Sequence, residues 1–467
     1  MKTSVIQRSW IEGYGYRLDT KPYLSGALEA KVLLDILPLR KDKLSEVTAG
    51  IYHAGRESRQ WVDSAEHGVP FISGSDLQKA EFTNLPFLSK RQVEKTPRFT
   101  VRTGYTLITR SGTIGRMAYC RRDMDGMACS EHVMRVVPDS TKIPAGYLYT
   151  YLCSKFGVPL VLAGTYGSMI QGIEPEHIAG LPVPRIGDAL EHEIHTLVEQ
   201  AAELRCTSSQ QLKAAREGLL RTIGKPPPPS IGTRHRNWAG HSISSEFLAK
   251  VGRLDSLFYN PTATELDEWI AAHSAGFDEL GDVAEVFDVP PFKHIYVGPD
   301  EGVGFFTSAD IFLIDRKPDK YLSRRQTKGL EKYVLETGWV LLARSGSLGG
   351  NIAKPQFADS AMSGATASDH VIRIAPKTDR ISAGYLYTYL SLRELGYPII
   401  LRTATGACIP ALWPLYLNKL RVLRPAAEFN QKIDQTVREA FEMRVRATKL
   451  DDQARDTLEE ALANAAK

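Results

Sequence analysis

The sequence lacks the features that would place it in a membrane or outside the cell. Its 467 residues contain no run of about 18 apolar residues, so no transmembrane helix is predicted. The N-terminal residues 1–19 are too polar for a secretory signal. Only five cysteines occur, and no C-x-x-C pair, which argues against a disulfide framework or a zinc site. We therefore expect a cytoplasmic protein with buried, unbridged cysteines.

The sequence also lacks a strong excess of charge. With 43% apolar and 24% charged residues it is ordinary globular material, and its net charge is only +4. Residues 187–225 carry 5 basic and 6 acidic side chains, and residues 426–467 carry 7 basic and 9 acidic ones. The basic excess therefore lies in the rest of the chain. It is compatible with a polyanionic partner but is weak support by itself.

Motifs of the common enzyme classes are missing as well. Neither a Walker A sequence nor a G-x-S-x-G elbow occurs. The closest approach to the Asp/Asn-Pro-Pro-aromatic motif of amino-methyltransferases is residues 288–292, where a valine interrupts it. Glu131-His132 and Asp369-His370 are acid–histidine pairs, but neighbouring strand residues point to opposite faces. We interpret both histidines as structural and predict no catalytic centre and no metal site.

What the sequence does contain is a long internal repeat. The string AGYLYTYL occurs at 145–152 and again at 383–390, an offset of 238. Four further matches are collinear with it: 130–138 with 368–376, 104–115 with 338–349, 68–77 with 302–311, and 17–19 with 253–255. Five collinear matches indicate a tandem duplication, and the small drifts in offset indicate loop insertions.

The repeat continues into a helical segment. Residues 193–205 align with 432–444, so the repeated unit is a globular block of about 170 residues followed by a helical block. A tetraproline at 226–229 cannot continue a helix and marks the clearest boundary. We predict four parts: a first globular domain at 1–186, a helix at 187–225, a Pro-rich linker and second globular domain at 226–425, and a final helix at 426–467.

Local patterns predict mixed α and β structure in each globular block. TLITRSG and VLLARSG indicate strands that run into turns, and HVMRVV and HVIRIA alternate like strands. AGYLYTYL has helical spacing, and its tyrosines are interpreted as core residues rather than as a base-stacking surface. Apolar stripes in 188–223 and 427–463 favour two long helices paired like a coiled coil.

In this layout the sequence resembles the specificity (S) subunit of Type I restriction–modification systems. Besides the duplication, the resemblance rests on GYTLITRSGTIGR at 104–116 and on GTYGSMIQGIEPEHIAGLPVP at 164–184. The second copy of the latter pattern, at 402–425, is looser but keeps Gly406 and Ile409. The resemblance covers nearly the whole chain.

The resemblance implies an α+β fold with two similar mixed α/β target recognition domains. Two long antiparallel coiled-coil-like helices would separate them with pseudo-twofold symmetry, which suits DNA half-sites on opposite strands. It also implies a bipartite DNA target and docking of two methyltransferase subunits, with restriction subunits as a further possible partner. S-adenosylmethionine for adenine-N6 methylation, and ATP with Mg for restriction, would belong to those partners.

Three alternatives stay open at this point. The chain could serve a related phage-defence methyltransferase system as its specificity or scaffold subunit. It could be a helical scaffold that has lost DNA binding, which a salt-dependent band shift would exclude. It could also be an enzyme whose site is not recognised, which cofactor binding by the isolated chain would indicate.

Candidate DNA contacts are polar or basic residues in non-helical runs, because such side chains contact phosphates and base edges. In the first block they are Arg56, Arg59, Gln60, Lys90, Arg91, Arg110, Ser111, Thr113, Arg116, Tyr166, Ser168 and Gln171. In the second block they are Lys293, His294, Arg324, Arg325, Gln326, Lys328, Arg344, Ser345, Ser347, Thr403 and Thr405. Candidates for partner docking lie on the helices: Leu197, Leu204, Phe441 and Leu450.

Each of these residues also has a simpler interpretation. Most exposed Arg and Lys side chains only solvate a surface. Ser111-Gly112 and Ser345-Gly346 could serve only as tight turns with positive φ at glycine. Arg110 and Arg344 occur in both copies, so we assign them to phosphates rather than to bases, which should differ between the two half-sites.

Overall fold

The computed structural model describes residues 5–6, 8–13, 21–82, 85–164, 172–227, 244–255, 257–406 and 408–466. The chain divides into two compact units, unit 1 with residues 1–206 and 446–467 and unit 2 with residues 207–445. Within the described ranges no helix has the length and apolarity needed to cross a membrane. The first-copy repeat segment 17–19, the glycine-rich 165–171 and residues 228–243 lie outside the description.

In its described residues, unit 1 combines short helices with ten strands, the first half of one long helix and the end of another. Its helices are α1 Arg8–Gly13, α2 Lys21–Leu24, α3 Ala27–Ile36, α4 Lys90–Lys95, α5 Ala145–Cys153, α6 Gly157–Ala163, α7 Pro175–Ala179 and the long α8 Asp188–Ile223. Its strands are β1 Lys41–Lys43, β2 Thr48–His53, β3 Trp61–Val62, β4 Gly68–Ile72, β5 Phe87–Ser89, β6 Thr106–Thr109, β7 Met117–Tyr119, β8 Ala128–Cys129, β9 Val133–Pro138 and β10 Pro182–Pro184.

Unit 2 has its strands in the same order as unit 1, whereas its short helices differ at several positions. Its helices are α9 Ser245–Val251, α10 Pro261–Ala272, α11 Leu280–Val283, α12 Ala383–Ser391, α13 Gly396–Arg402, α14 Pro414–Leu417 and the long α15 Ala427–Ala465. Its strands are β11 Phe277–Glu279, β12 Ala284–Phe287, β13 Tyr296–Val297, β14 Gly302–Phe306, β15 Lys320–Ser323, β16 Val340–Ala343, β17 Pro355–Phe357, β18 Thr366–Ala367, β19 Val371–Pro376 and β20 Arg421–Leu423.

The two units have identical sheet topologies. In unit 1 the strand orders are β2-β9-β6-β7, β3-β5-β4-β8 and β1-β10, and in unit 2 they are β12-β19-β16-β17, β13-β15-β14-β18 and β11-β20. Even the one parallel pairing recurs, with β4 beside β8 and β14 beside β18. The predicted duplication is therefore a duplication of structure, and the predicted mixed α and β content is confirmed.

The repeated AGYLYTYL string forms the core helices α5 and α12, as predicted. Tyr147 and Tyr151 of α5 are fully buried, and their hydroxyls donate to the carbonyls of Pro184 and Pro182 in β10. Tyr385 and Tyr389 of α12 donate in the same way to strand β20. Burial raises the pKa of Tyr147 and Tyr389, so all these hydroxyls stay protonated. The tyrosines are packing residues, as the sequence interpretation favoured.

The glycine of that string lets each core helix approach a long helix. A Cβ on Gly146 would lie 2.9 Å from His195 Cα in α8, and a Cβ on Gly384 would lie 2.6 Å from Asp434 Cα in α15. The Gly146 N–H donates to His195 Nδ1 at 3.1 Å, and the Gly384 N–H donates to Asp434 Oδ1 at 2.7 Å. Both contacts satisfy an N–H at the start of a helix, which has no partner inside the helix.

The long helices end close to the predicted bounds, and each contributes to both units. In unit 1, Ile194 and Val198 of α8 share an apolar cluster with Leu458 and Leu462 of α15. In unit 2, the later part of α8 and the earlier part of α15 share another cluster. This order of contacts is that of an antiparallel pair, which confirms the predicted helix arrangement. The four-part division by residue number stays a prediction.

Candidate nucleic-acid interface

Each unit exposes a short basic segment directly after the second strand of one four-stranded sheet, the β3-β5-β4-β8 sheet in unit 1 and the β13-β15-β14-β18 sheet in unit 2. Residues 90–98 follow β5 and residues 324–332 follow β15, and each segment has four basic residues and one acidic residue. All eight basic side chains are exposed: Lys90, Arg91, Lys95 and Arg98 in unit 1, and Arg324, Arg325, Lys328 and Lys332 in unit 2. We call these the basic segments.

The cations of the basic segments are not paired with acidic side chains in the described part of the chain, although Arg91 and Lys95 line the same cavity as Glu57. Among the residues that the structure describes, none of the eight forms an ion pair, and the Lys90 ammonium donates to the Glu66 carbonyl at 2.7 Å. In unit 1 the backbone of the basic segment is anchored, because the buried Gln92 amide bonds to Gln60 N and Ser58 O. Exposed cations that form no ion pair attract a polyanion.

An exposed aromatic side chain lies next to each basic segment. Trp61 in the edge strand β3 pairs with Leu88, and Tyr296 in the edge strand β13 pairs with Leu322. The exposed fractions are 41% for Trp61 and 50% for Tyr296. Sequence reasoning missed both residues. At the offset of 234 that aligns the flanking segments, Trp61 falls opposite Ile295, so only the strand registers reveal that Trp61 and Tyr296 are equivalent.

Arg59 of unit 1 is tied into a polar network beside Trp61. Its Nη2 lies 2.6 Å from Glu131 Oε2, and its guanidinium lies 4.9 Å from the centre of the Phe71 ring. Burial opposes ionisation of Glu131, but the hydrogen bond from Arg59, a backbone hydrogen bond and the charges of Arg59 and His132 together lower the pKa of that carboxyl. Arg59 is therefore held as a support rather than as a mobile contact.

The expectation that Glu131 and His132 stay apart is wrong. They lie in a turn before β9, not in the strand, and His132 Nε2 is 3.4 Å from Glu131 Oε1. Ser111 Oγ is 2.7 Å from His132 Nδ1, so the imidazole lies between a hydroxyl and a carboxylate. In unit 2 the corresponding separation of His370 Nε2 and Asp369 Oδ2 is 4.0 Å. The shared feature is thus an exposed histidine, while the tight network belongs to unit 1.

Arg110 and Arg344, the arginines shared by the two Arg-Ser-Gly turns, are held in different ways. Arg110 is buried, donates from Nε to the Ile173 carbonyl at 3.1 Å and pairs with Glu174. Arg344 Nη1 lies 3.4 Å from Asp288 Oδ2, and its guanidinium lies 4.3 Å from the centre of the Trp413 ring. The acidic partner of the arginine is therefore the residue just before α7 in unit 1 and the residue just after β12 in unit 2.

Buried arginines fix the loop that carries the exposed histidine in each unit. Arg135 and Arg373 are fully buried. Arg135 donates to the carbonyls of Ser130 and Val133, and Arg373 donates to those of Ser368 and Val371. Burial lowers the pKa of Arg373 to about 10, so it stays charged at neutral pH. Sequence reasoning missed this role, although both arginines stand in the repeated strand motif.

Comparison with solved structures finds Type I restriction–modification specificity subunits. The chain is similar to the S subunit of a Type-I restriction-modification system from M. genitalium, at 12% identity and a TM-score of 0.38, covering 92% of this chain and 96% of that one. It is also similar to the HsdS subunit from Thermoanaerobacter tengcongensis, at 16% identity and a TM-score of 0.28, covering 91% and 97%. A structure from work on assembly of the type I R-M system matches at 15% identity and 0.29, covering 92% and 98%. No family model and no curated protein matches the sequence.

Most of the predicted DNA-contact residues are accessible. Those with exposed side chains are Arg56, Gln60, Lys90, Arg91, Thr113, Arg116, Lys293, Arg324, Arg325, Gln326, Lys328 and Ser347. Those that are half-buried are Arg59, Ser111, His294, Arg344, Ser345 and Thr405. Tyr166, Ser168 and Gln171 lie outside the described residues. Contact with DNA stays a prediction for all of them.

Three predicted contact residues are buried and already engaged. Arg110 pairs with Glu174, Thr403 donates to the Ile400 carbonyl at 2.7 Å, and Phe441 packs on Phe357 at 4.9 Å between ring centres. Contact of Arg110 or Thr403 with DNA, or of Phe441 with a partner, would require local opening, because their side chains have almost no surface here.

The other three predicted docking residues, Leu197, Leu204 and Leu450, are half-buried on the long helices.

The Ser-Gly turns behave as expected in only one copy. Gly112 has φ of 76°, which favours glycine, whereas Gly346 is not among the glycines with positive φ. The cysteines also differ from expectation, since Cys120, Cys129 and Cys206 are buried but Cys408 is exposed. Within the described ranges, no cluster of His, Cys, Asp and Glu side chains is arranged to hold a metal ion.

Proposed function

We propose that this chain is the DNA-binding specificity subunit of a Type I restriction–modification complex. One observation carries the proposal: the same exposed basic segment, without acidic partners, recurs at the same structural position in two units of identical topology. A duplicated cationic surface suits a ligand that offers two separate anionic contact regions. A DNA target with two half-sites is such a ligand.

The charge distribution favours nucleic acid over a small anion. Each basic segment spreads four cations over nine residues after a strand; in unit 1, Arg91 and Lys95 line one open cavity, and the other two cations lie outside it. Phosphates along a duplex are spread in the same way, and contacts to them position a protein without reading bases. The nearby exposed Trp61 and Tyr296 supply surfaces that could meet base edges.

The reaction would belong to partner subunits in this proposal. The chain would dock two adenine-N6 methyltransferase subunits through its long helices, and restriction subunits could join that complex. S-adenosylmethionine, and ATP with Mg, would be bound by those subunits. The resemblance in the motifs at 104–116 and 164–184 supports this assignment. The same features would serve the specificity subunit of a related phage-defence methyltransferase system.

Two assays with purified full-length chain test the proposal. In the first, the chain is mixed with a library of random duplexes at several salt concentrations, and retained DNA is sequenced. We expect a bipartite motif and an affinity that falls steeply with salt. In the second, genomic DNA is incubated with S-adenosylmethionine and the chain, with or without candidate methyltransferase subunits from the same organism. We expect adenine methylation only when both components are present.

Either assay can reject the proposal. Retention of no DNA at low salt would reject the proposal and favour the helical-scaffold alternative. Methyl transfer by the chain alone would show a catalytic centre that the sequence analysis did not find. A single uninterrupted motif would contradict the assignment of one half-site to each unit.

A further inference from the structure

We propose that Trp61 and Tyr296 determine base specificity, each for one half of the DNA target. This inference rests on the proposed function and names the residues by which the two units would differ in sequence preference. Neither residue is part of the motifs that carry the resemblance.

The two side chains occupy equivalent positions. Trp61 is the first residue of the edge strand β3, and Tyr296 is the first residue of the edge strand β13. Each pairs with a leucine that lies two residues before the basic segment. A contact at Trp61 or Tyr296 is therefore close to the proposed phosphate contacts of the same unit. Base edges are distinguishable in the major groove, so an exposed ring beside phosphate contacts is placed to read them.

Both rings are held in place from below. Trp61 meets Phe71 edge to face at 5.1 Å between ring centres, and Tyr296 meets Phe305 at 6.3 Å and 64°. A cation lies beside each ring, Arg59 at 5.9 Å and Lys320 Nζ at 5.7 Å from the ring centre. The rings are thus oriented before DNA binds, which limits the entropy cost of the contact.

The two side chains differ in chemistry while their supports are alike. Indole offers a large apolar face and one N–H donor, whereas phenol offers a smaller face and a hydroxyl that both donates and accepts. Apolar faces contact the methyl group of thymine, and donors contact acceptors on purines. Phosphate contacts should be shared between the units, and the basic segments are shared. Base contacts should differ, as these two residues do.

A scattered exposed aromatic residue is common on protein surfaces and needs no function. Chance exposure does not explain why the same strand position carries an exposed ring in both copies. Within the described residues only one further aromatic side chain, Trp413, is among the large exposed hydrophobics, and it lies against Arg344 in another segment.

The test is selection of random duplex DNA by the full-length chain and by four variants. Trp61→Tyr and Trp61→Phe should change the base preference at one or two positions of one half-site by roughly tenfold. Tyr296→Trp and Tyr296→Phe should change the other half-site by a similar factor. Since each substitution keeps an aromatic ring over Phe71 or Phe305, thermal unfolding should match that of the wild type.

Matched controls are Ile36→Ala and Leu415→Ala, which remove exposed apolar side chains from helices of unit 1 and unit 2. Both controls should leave the selected motif unchanged. If the wild type selects a bipartite motif and all four aromatic variants select the same one, the inference is rejected while the proposed function stands. If the wild type retains no DNA, the proposed function fails and the inference fails with it.

Discussion

At the residue scale, the basic residues that recur in both copies are either exposed to solvent or engaged in contacts within their own unit. Lys90 and Arg324 are both basic and exposed, and so are Arg91 and Arg325. By contrast, the arginines of the Arg-Ser-Gly turns keep their identity but are occupied internally, Arg110 by Glu174 and Arg344 by Asp288. Basic residues that recur in the two copies therefore fall into two groups, those engaged within their unit and those exposed to solvent.

The first prediction concerns the basic segments. We expect Arg91→Ala or Arg325→Ala to weaken DNA binding similarly for all sequences, because each removes a phosphate contact. The slope of log affinity against log salt should fall in magnitude by about one per variant. Fluorescence anisotropy with one labelled duplex at several salt concentrations measures this slope.

The control is Arg393→Ala, which removes an exposed arginine outside the basic segments. It should leave the slope as in the wild type. If Arg91→Ala, Arg325→Ala and the control all give the same slope, the basic segments do not contact phosphates.

At the element scale, each globular block is attached to a long helix through the start of its core helix. The Gly146 N–H donates to the imidazole His195 Nδ1 in unit 1, whereas the Gly384 N–H donates to the carboxylate Asp434 Oδ1 in unit 2. The geometry is the same, but the acceptors respond differently to pH. An imidazole loses its acceptor nitrogen when protonated, and a carboxylate keeps its acceptors through neutral and mildly acidic pH.

This difference predicts that the stability of the protein depends on pH through His195, and that replacing His195 weakens this dependence. Burial lowers the pKa of His195, with His192 adding to this effect and Glu199 opposing it. The unfolded chain then takes up the proton more readily than the folded one. Stability from this contact is complete above the ordinary histidine pKa of about 6.5 and falls as pH drops below it.

We expect His195→Asp, which copies the acceptor of unit 2, to lose less thermal stability than the wild type between about pH 7.5 and pH 5.5. Thermal unfolding followed by circular dichroism measures the difference. His67→Asn, a change at an exposed histidine away from α8, should behave like the wild type. An equal loss in His195→Asp and wild type would show that this contact does not couple stability to pH.

At the scale of the whole molecule, the long helices are part of both cores. Ile433 and Val437 of α15 are buried in unit 2, and Leu458 and Leu462 of the same helix are buried in unit 1. Removing residues 426–467 would therefore expose the cores of both units. A defect in partner assembly after that deletion would not identify a docking surface, and exposed positions of the helices are the better sites to change.

The prediction at this scale concerns half-site exchange. Replacing residues 15–186 with the corresponding block of another chain of this layout should change one half of the selected DNA motif and leave the other half unchanged. The donor needs a glycine at the position of Gly146, because any side chain there would meet the backbone of α8. Sequencing of selected duplexes gives the result, and a change in both halves would contradict the assignment of one half-site to each unit.

The sequence by itself determined the duplication, the two long helices and the core role of AGYLYTYL. These features depend on short-range periodicity and on identity between copies, which a chain displays before it folds. Residues 188–223 were predicted as one helix, and α8 has those bounds. The exposed basic runs were also visible, because Arg324 and Arg325 stand together in the sequence.

Tertiary structure alone decided which of the polar residues are available. Arg110 and Arg91 look alike in the sequence, but Arg110 lies under Glu174 and Arg91 faces solvent. The contact of Glu131 with His132 depends on a turn where alternation predicted a strand. Trp61 lies beside the basic segment because β3 pairs with β5, although strand β4 comes between them in the sequence. Such availability depends on long-range pairing and burial, which local patterns do not encode.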